Sequence, residues 1–385
     1  MAGSTDTTAL VLSGGGARGA YEAGVIAGLV DVLGEVAIDL FAGTSVGAIN
    51  AAYLASHAHR GDLGVDKLVA LWEGLSLREH LRPARRPWVS QGVLDVRPFE
   101  RIVRREVDWG SLSRSLDGGQ LRGLFIAALE VATGRTALFA DLAPQTRWTP
   151  TRDPQRVAVQ ERITSEHVLA SAAIPGIFPP RRVGGGVFYD GSLRFNTPIA
   201  PVLRAGADRL VVVSPLYHGT RHALSPTAPE DLDVLFLAGK MLHAVLLDPF
   251  DYDLQVLERF NALIAVLDVE LGPQERARFD ARVAALRGVP YRTIDALVLS
   301  PSRDLGAIAL EYVRTHRRRF LRQGLGGWAL ALSGRRLAES GTDLASYLLF
   351  DGGFTSQLVA LGRHDVRARA DEVQAFFGEA RAAAG

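Results

Sequence analysis

Residues 9–55 read ALVLSGGGARGAYEAGVIAGLVDVLGEVAIDLFAGTSVGAINAAYLA, and their order decides the fold class. Ala9 to Leu12 is a short apolar run entering a glycine cluster, Gly14-Gly15-Gly16-Ala17-Arg18-Gly19. The segment from about Ala20 to Leu33 is amphipathic and reads as a helix. Val36 to Ala42 reads as a second strand and the alanine-rich Ser45 to Ala55 as a second helix. Strand, glycine turn and helix, repeated once, is the pattern of an α/β protein with a mostly parallel sheet.

Further along, Leu121 to Phe139 predicts two strands joined near Thr133-Gly134-Arg135. Ser165 to Ala173 predicts a helix stopped by Pro175, and Val187 to Tyr189 a short strand running into Asp190-Gly191-Ser192. Arg209 to Val213 is apolar enough for a central strand. Leu216 to Asp231 is polar and proline-containing, which suggests a linker between a first domain, 1–215, and a mainly helical region, 232–385. Within that region Ala296 to Ser300 fits one added strand. Leu232 to Leu247 is apolar nearly all round apart from Lys240 and His243, which favours a buried helix over a membrane-facing lid.

Composition narrows the classes. Of 385 residues 48% are hydrophobic and 22% charged, enough apolar material for a sizeable core. The 43 basic and 42 acidic residues leave a net charge of +1, which argues against a nucleic-acid partner. There is no cysteine, so disulfides, thiolate metal sites and cysteine nucleophiles are excluded. The N-terminal residues carry no basic segment or long apolar core, and the uncharged run Leu40 to His59 is interrupted by polar residues and glycine. The expectation is a soluble cytoplasmic protein, with a leaderless export route left open.

Three features bear on chemistry. Gly43-Thr44-Ser45-Val46-Gly47 is a G-x-S-x-G between a strand and a helix. A serine on such a turn projects its oxygen, the glycines remove clashing Cβ atoms, and the helix N-terminus favours an oxyanion. The Gly14 to Gly19 cluster brings backbone amides together and suits either an oxyanion or a phosphate. It also fits a dinucleotide G-x-G-x-x-G, but Asp39 stands before Leu40-Phe41-Ala42, not at that strand's C-terminal end where a ribose-binding acid belongs. Asp190 follows a strand and precedes Gly191; it is a candidate base for a serine hydroxyl, which is a poor nucleophile unaided. Each feature also has a plain structural reading as a βα turn or an Asp-Gly turn.

Taken together, the chain resembles the patatin-like phospholipase family. The resemblance rests on Gly14 to Gly19, Gly43 to Gly47, the passage Ala170-Ser171-Ala172-Ala173-Ile174-Pro175-Gly176-Ile177-Phe178-Pro179, and Asp190-Gly191, in the family's order over about residues 9 to 215. It implies a three-layer α/β fold and a lipid acyl hydrolase of phospholipase A or lysophospholipase type, with a lipid or phospholipid substrate and no cofactor or metal. By that resemblance Ser45 is the nucleophile, Asp190 the base, and the amides of Gly15, Gly16 and Ala17 the oxyanion hole. Arg18 matches a basic position of the glycine block. One departure is Ser192, where the family usually has a second small residue, glycine or alanine.

Competing features remain. Asp117-Gly118-Gly119 and Asp351-Gly352-Gly353 match the family's aspartate tripeptide better than Asp190 does, yet stand outside its order and read as turns. His218, His222, His243, His316 and His364 follow Asp190 and would permit a Ser-Asp-His order. His57 and His59 are spaced to point apart on a helix and so predict no metal pair. Tyr312 to Gln323 carries five arginines and no acid, a candidate contact for an anionic membrane or an ordinary solvated face. A nucleotide-binding oxidoreductase and a catalytically silent lipid-binding protein are the alternatives from other classes; the sequence leaves oligomeric state open.

Overall fold

Thr8–Leu12 forms β1, buried along its whole length, and hands the chain through the glycine loop to α1, Gly19–Leu33. The computed structural model describes residues 6–80, 82–83, 92, 94–217, 248–321 and 342–384. Beyond Tyr217 the expected linker lies outside the described residues, as does the whole Leu232–Leu247 segment. Next come β2, Leu40–Thr44, and α2, Val46–Ser56. β2 starts four residues later than the periodicity suggests. Val36 donates its N–H to Gly61, a loop carbonyl, and Asp39 Oδ2 accepts from Thr8 N at 2.8 Å, so Val36 to Asp39 is a capped lead-in.

Apart from a two-stranded pair, Arg82–Pro83 with Leu94–Asp95, the remaining described strands are β3, Gly123–Glu130; β4, Thr136–Leu142; β5, Arg156–Gln160; β6, Arg181–Val183; β7, Gly186–Asp190; β8, Arg209–Val213; and β9, Asp295–Leu299, which with β1 and β2 make the main sheet. They form one sheet in the order β9-β8-β1-β2-β3-β4-β5, with β7 pairing to both β3 and β6. The first five strands of that order run parallel. β4 returns antiparallel to β3 through the hairpin at Thr133 to Arg135, and β7 is antiparallel to β3 as well. This is a mostly parallel α/β sheet, and β8 sits inside it between β1 and β9, as its apolar sequence requires.

Alternation along the strands feeds two cores. Leu10 and Leu12 of β1 face one cluster with Val211 and Val213 of β8, while Ala9 and Val11 face the other with Leu210 and Val212. The first core lies under α1, α2 and the C-terminal helices; the second lies under Ile199–Arg204 and Leu257 of Asp248–Glu270. Helices thus cover both faces of the sheet.

The described stretches 248–321 and 342–384 share this framework. They supply the edge strand β9 and a long helix against α1. Between α3, Ser165–Ser171, and α4, Gly352–Ala368, the described helices include Leu305–Thr315 and Thr342–Leu348. α4 reaches α1 through glycine: a Cβ at Gly24 would lie 2.3 Å from Val359 O, and one at Gly362 would lie 2.5 Å from Tyr21 O. An added methyl at either site would force the helices apart, an overpacking cost of about 1–3 kcal/mol. Among the described residues no helix is long and apolar enough to cross a membrane.

Candidate active site

The C-terminal ends of β1, β2 and β7 converge, and the register of β3 explains why. Thr44, the last residue of β2, pairs with Ala127 of β3, and Asp190, the last of β7, pairs with the next residue, Ala128. β2 leaves the sheet at Ser45 and β7 takes over its place along β3. The two strand ends therefore meet head to head, bringing Ser45 and Asp190 together across 145 positions of chain.

Ser45 sits at φ 56°, ψ −127°, an unusual backbone state for a non-glycine residue. The flanking glycines make the turn sterically feasible. A Cβ at Gly43 would lie 2.3 Å from Gly47 O, and one at Gly47 would lie 2.5 Å from Leu12 O. The Ser45 N–H donates to Ser171 Oγ at 2.9 Å, and Ser171 Oγ donates in turn to Ala127 O at 2.6 Å. The strained turn is thus tethered to β3 through a buried hydroxyl.

Ser45 Oγ donates to Asp190 Oδ2 at 2.6 Å. The other carboxylate oxygen, Oδ1, accepts from Ser192 N at 2.9 Å and from Ser192 Oγ at 2.6 Å. Asp190 is fully buried, and its own N–H donates to Ala173 O in the proline-containing passage. Burial raises its carboxyl from the ordinary 3.8 to about 6, opposed by the donors on Ser192 and Ser45. Gly191 must be small because a Cβ there would lie 2.3 Å from Ala127 O.

The glycine loop closes the site from the β1 side. Gly14 N–H donates to Asn196 Oδ1 at 2.7 Å, and a Cβ on Gly14 would lie 3.0 Å from Ser45 Cβ and 2.9 Å from Ser192 Cβ. Gly16 takes φ 57° beneath the Tyr347 carbonyl, opening the short helical turn Gly16–Arg18 that runs into α1. Among the described residues the N–H groups of Gly15, Gly16 and Ala17 have no acceptor, as expected for the first amides of a helical turn. Gly19 packs against Val46 of the elbow helix.

The patatin-like phospholipase family matches the chain over residues 10–203, just over half of its 385 residues, and this stretch contains the loop, the elbow and Asp190. The chain belongs to that family. Two solved structures are similar in outline. VipD from Legionella pneumophila matches at 13% identity and a TM-score of 0.36, covering 92% of this chain and 67% of that one. Human GIVD cytosolic phospholipase A2, in complex with methyl γ-linolenyl fluorophosphonate, matches at 13% identity and 0.40, covering 99% and 60%. The patatin-like chain therefore spans about three fifths of the human protein's length.

Other sequence candidates fall elsewhere in this patatin-like protein. Arg18 is buried, donates from Nε to Ser346 Oγ at 2.8 Å and stacks over the Tyr347 ring at 4.4 Å, so it ties the glycine loop to the C-terminal helices. Asp39 caps the N-terminal end of the parallel strands, opposite to the glycine loop, which removes the geometry a dinucleotide site needs. Asp117 ends the helix Trp109–Asp117 in place of the expected turn, and pairs with Arg162. Asp351 caps α4 and pairs with Arg319. No histidine touches Ser45 or Asp190 among the described residues; His316 bonds Tyr312 O and His364 is exposed, while His218, His222 and His243 lie outside them.

Sequence reading missed three supporting groups. Ser171 lies in the passage that carries the family resemblance but has no role assigned there, and Asn196 sits in a stretch with no motif; only the folded register reveals their contacts. Glu22 of α1 is buried and accepts from Asn50 Nδ2 of α2 at 2.8 Å, while Asn50 Oδ1 accepts from Trp72 Nε1 at 3.0 Å. This network joins the helices that carry the loop and the elbow. A charged residue in the apolar first half of the helical stretch Gly19 to Leu33 was its available signal.

Proposed function

We propose that the chain hydrolyses carboxylic esters of phospholipids or lysophospholipids through an acyl–Ser45 intermediate, with Asp190 as its base. The observation that carries this reading is the 2.6 Å bond from Ser45 Oγ, on a strained elbow, to a buried carboxylate with no cation against it among the described residues. In acylation Asp190 Oδ2 takes the hydroxyl proton as Oγ bonds to the carbonyl carbon, and the carbonyl π pair moves to oxygen. The N–H groups of Gly15, Gly16 and Ala17 are the proposed donors to that oxyanion. Collapse breaks the ester C–O bond, and Asp190 returns the proton to the leaving alcohol. Water then gives a proton to Asp190 as its oxygen bonds to the acyl carbon; collapse breaks the bond to Ser45 Oγ, Asp190 returns the proton to Oγ, and the carboxylic acid leaves.

A carboxyl near 6 suits this work, because it is mostly ionised at neutral pH yet basic enough to accept a proton. Of the basic run offered for membrane contact, Arg319 is engaged by Asp351, which leaves exposed Arg314 and Arg318 as the described candidates for anionic headgroups. The decisive experiment pairs a fluorophosphonate probe with Ser45→Ala. The wild-type chain should label at one serine and hydrolyse p-nitrophenyl esters, and the variant should do neither. Ester hydrolysis retained by a folded Ser45→Ala protein would overturn the reading.

A further inference from the structure

We infer that Ser192 is a positioning residue whose hydroxyl fixes the rotation and ionisation of Asp190; this rests on the proposed role of Asp190 as base. The backbone N–H of residue 192 reaches Oδ1 whatever the side chain, so any residue there would supply that bond. The hydroxyl adds a second donor to the same oxygen at 2.6 Å. Ser192 is 1% exposed, and this carboxylate oxygen is its recorded partner.

Two consequences follow. A carboxylate turns readily about its terminal torsion, with two broad equivalent wells. Two donors on Oδ1 remove that freedom and commit Oδ2 to Ser45. The second consequence is electrostatic. Among the described residues the elements packed on Asp190 bring no ionised group to bear: β3 presents Ala127 and Ala128, α3 with the residues after it presents Ser171 and Ala173, and the elbow presents Ser45. Burial is opposed by hydrogen bonds alone, and Ser192 supplies two of the three. The hydroxyl therefore offsets the desolvation of a base that no described cation holds ionised.

The test is Ser192→Ala, which keeps the Cβ and the backbone N–H and deletes only the donor. The readout is the pH dependence of kcat/KM on a soluble ester. In the wild type the acid limb should fall near pH 6, since protonated Asp190 cannot accept from Ser45. Losing one charge-assisted bond should move that limb up by about one to two pH units, with KM little changed. An acid limb at the wild-type position with wild-type kcat would overturn the inference and leave the Ser45–Asp190 reading standing. Should Ser192→Ala fold poorly, Ser192→Gly and the pH dependence of fluorophosphonate inactivation ask the same question. If Asp190→Asn keeps both its rate and its acid limb, the limb belongs to another group, and the dyad reading itself falls.

Discussion

Asp190-Gly191-Ser192 and Asp351-Gly352-Gly353 are almost the same tripeptide, and the fold treats both aspartates alike at first. Each is buried, at 0% and 1% exposure, and each accepts from the backbone N–H two residues on, capping the helical turn that follows. They part at the other carboxylate contacts. Asp351 takes the Tyr312 hydroxyl at 2.6 Å and Arg319 Nη2 at 2.9 Å, so a guanidinium neutralises it. Asp190 takes two serine hydroxyls and, among the described residues, no cation. The first fastens α4 to two helices, by an ion pair to Arg319 of Arg317–Leu321 and a hydrogen bond from Tyr312 of Leu305–Thr315; the second is held beside a strained serine and is the proposed proton acceptor. What stands opposite the carboxylate separates the two, and the tripeptide alone does not.

The sharpest way to break that contrast is to remove each acceptor in turn. Asp190→Asn keeps the shape of the side chain but cannot take a proton from Ser45. General-base catalysis supplies about a hundred- to ten-thousand-fold, so kcat on a soluble ester should fall by at least the lower figure. A loss below tenfold would mean that some other group deprotonates Ser45.

Asp351→Asn should do the reverse. Asparagine can still cap α4 and accept from Tyr312, but Arg319 loses its counter-charge. With the Arg319 side chain 52% exposed, solvent screens part of the loss, and a cost of about 1–3 kcal/mol is expected. Thermal unfolding should drop by a few degrees while ester turnover stays within about threefold. Asp117→Asn, at an ion pair whose partners are 49% and 59% exposed, is the matched control and should change neither quantity measurably. A catalytic collapse in Asp351→Asn would erase the distinction drawn here.

How much of this was legible in the sequence varies with how local the cause is. Strand β8 matches its apolar run residue for residue, because a run of that kind has few other ways to bury itself. The elbow was legible for a similar reason: Gly43 and Gly47 answer to contacts inside one strand-turn-helix unit and its neighbour β1. Asp190 was legible only as a member of an ordered set. What could not be read is what the register of β3 creates, namely the handover from β2 to β7 and the buried Ser171 tether. The approach of α4 to α1 was equally hidden. Nothing in the sequence marks Gly24 and Gly28, and their use appears only once a segment more than 300 residues away lies against them.

Glu22 offers the subtlest extension of the comparison, a third buried carboxylate with neither a cation nor a serine to serve. It is 1% exposed; Oε2 accepts from Asn50, and Oε1 has no hydrogen-bond partner among the described residues. Desolvation raises its carboxyl from the ordinary 4.5 to about 8, only partly opposed by the Asn50 hydrogen bond and the backbone of Ser13. The folded state thus holds the proton more tightly than the unfolded chain. The stability this contributes is complete below about pH 4.5 and is lost as pH rises through about 8, where ionisation leaves a charge in the core. Glu22→Gln removes the titration while keeping the size and the contact with Asn50. At pH 5 the variant and the wild type should unfold within a degree or so of each other. At pH 9 the variant should be the more stable by a few degrees, with the gap opening between those limits. Parallel curves of unfolding temperature against pH would show that Glu22 is already solvated or paired, and that burial without a cation does not by itself set the behaviour of a carboxylate in this fold.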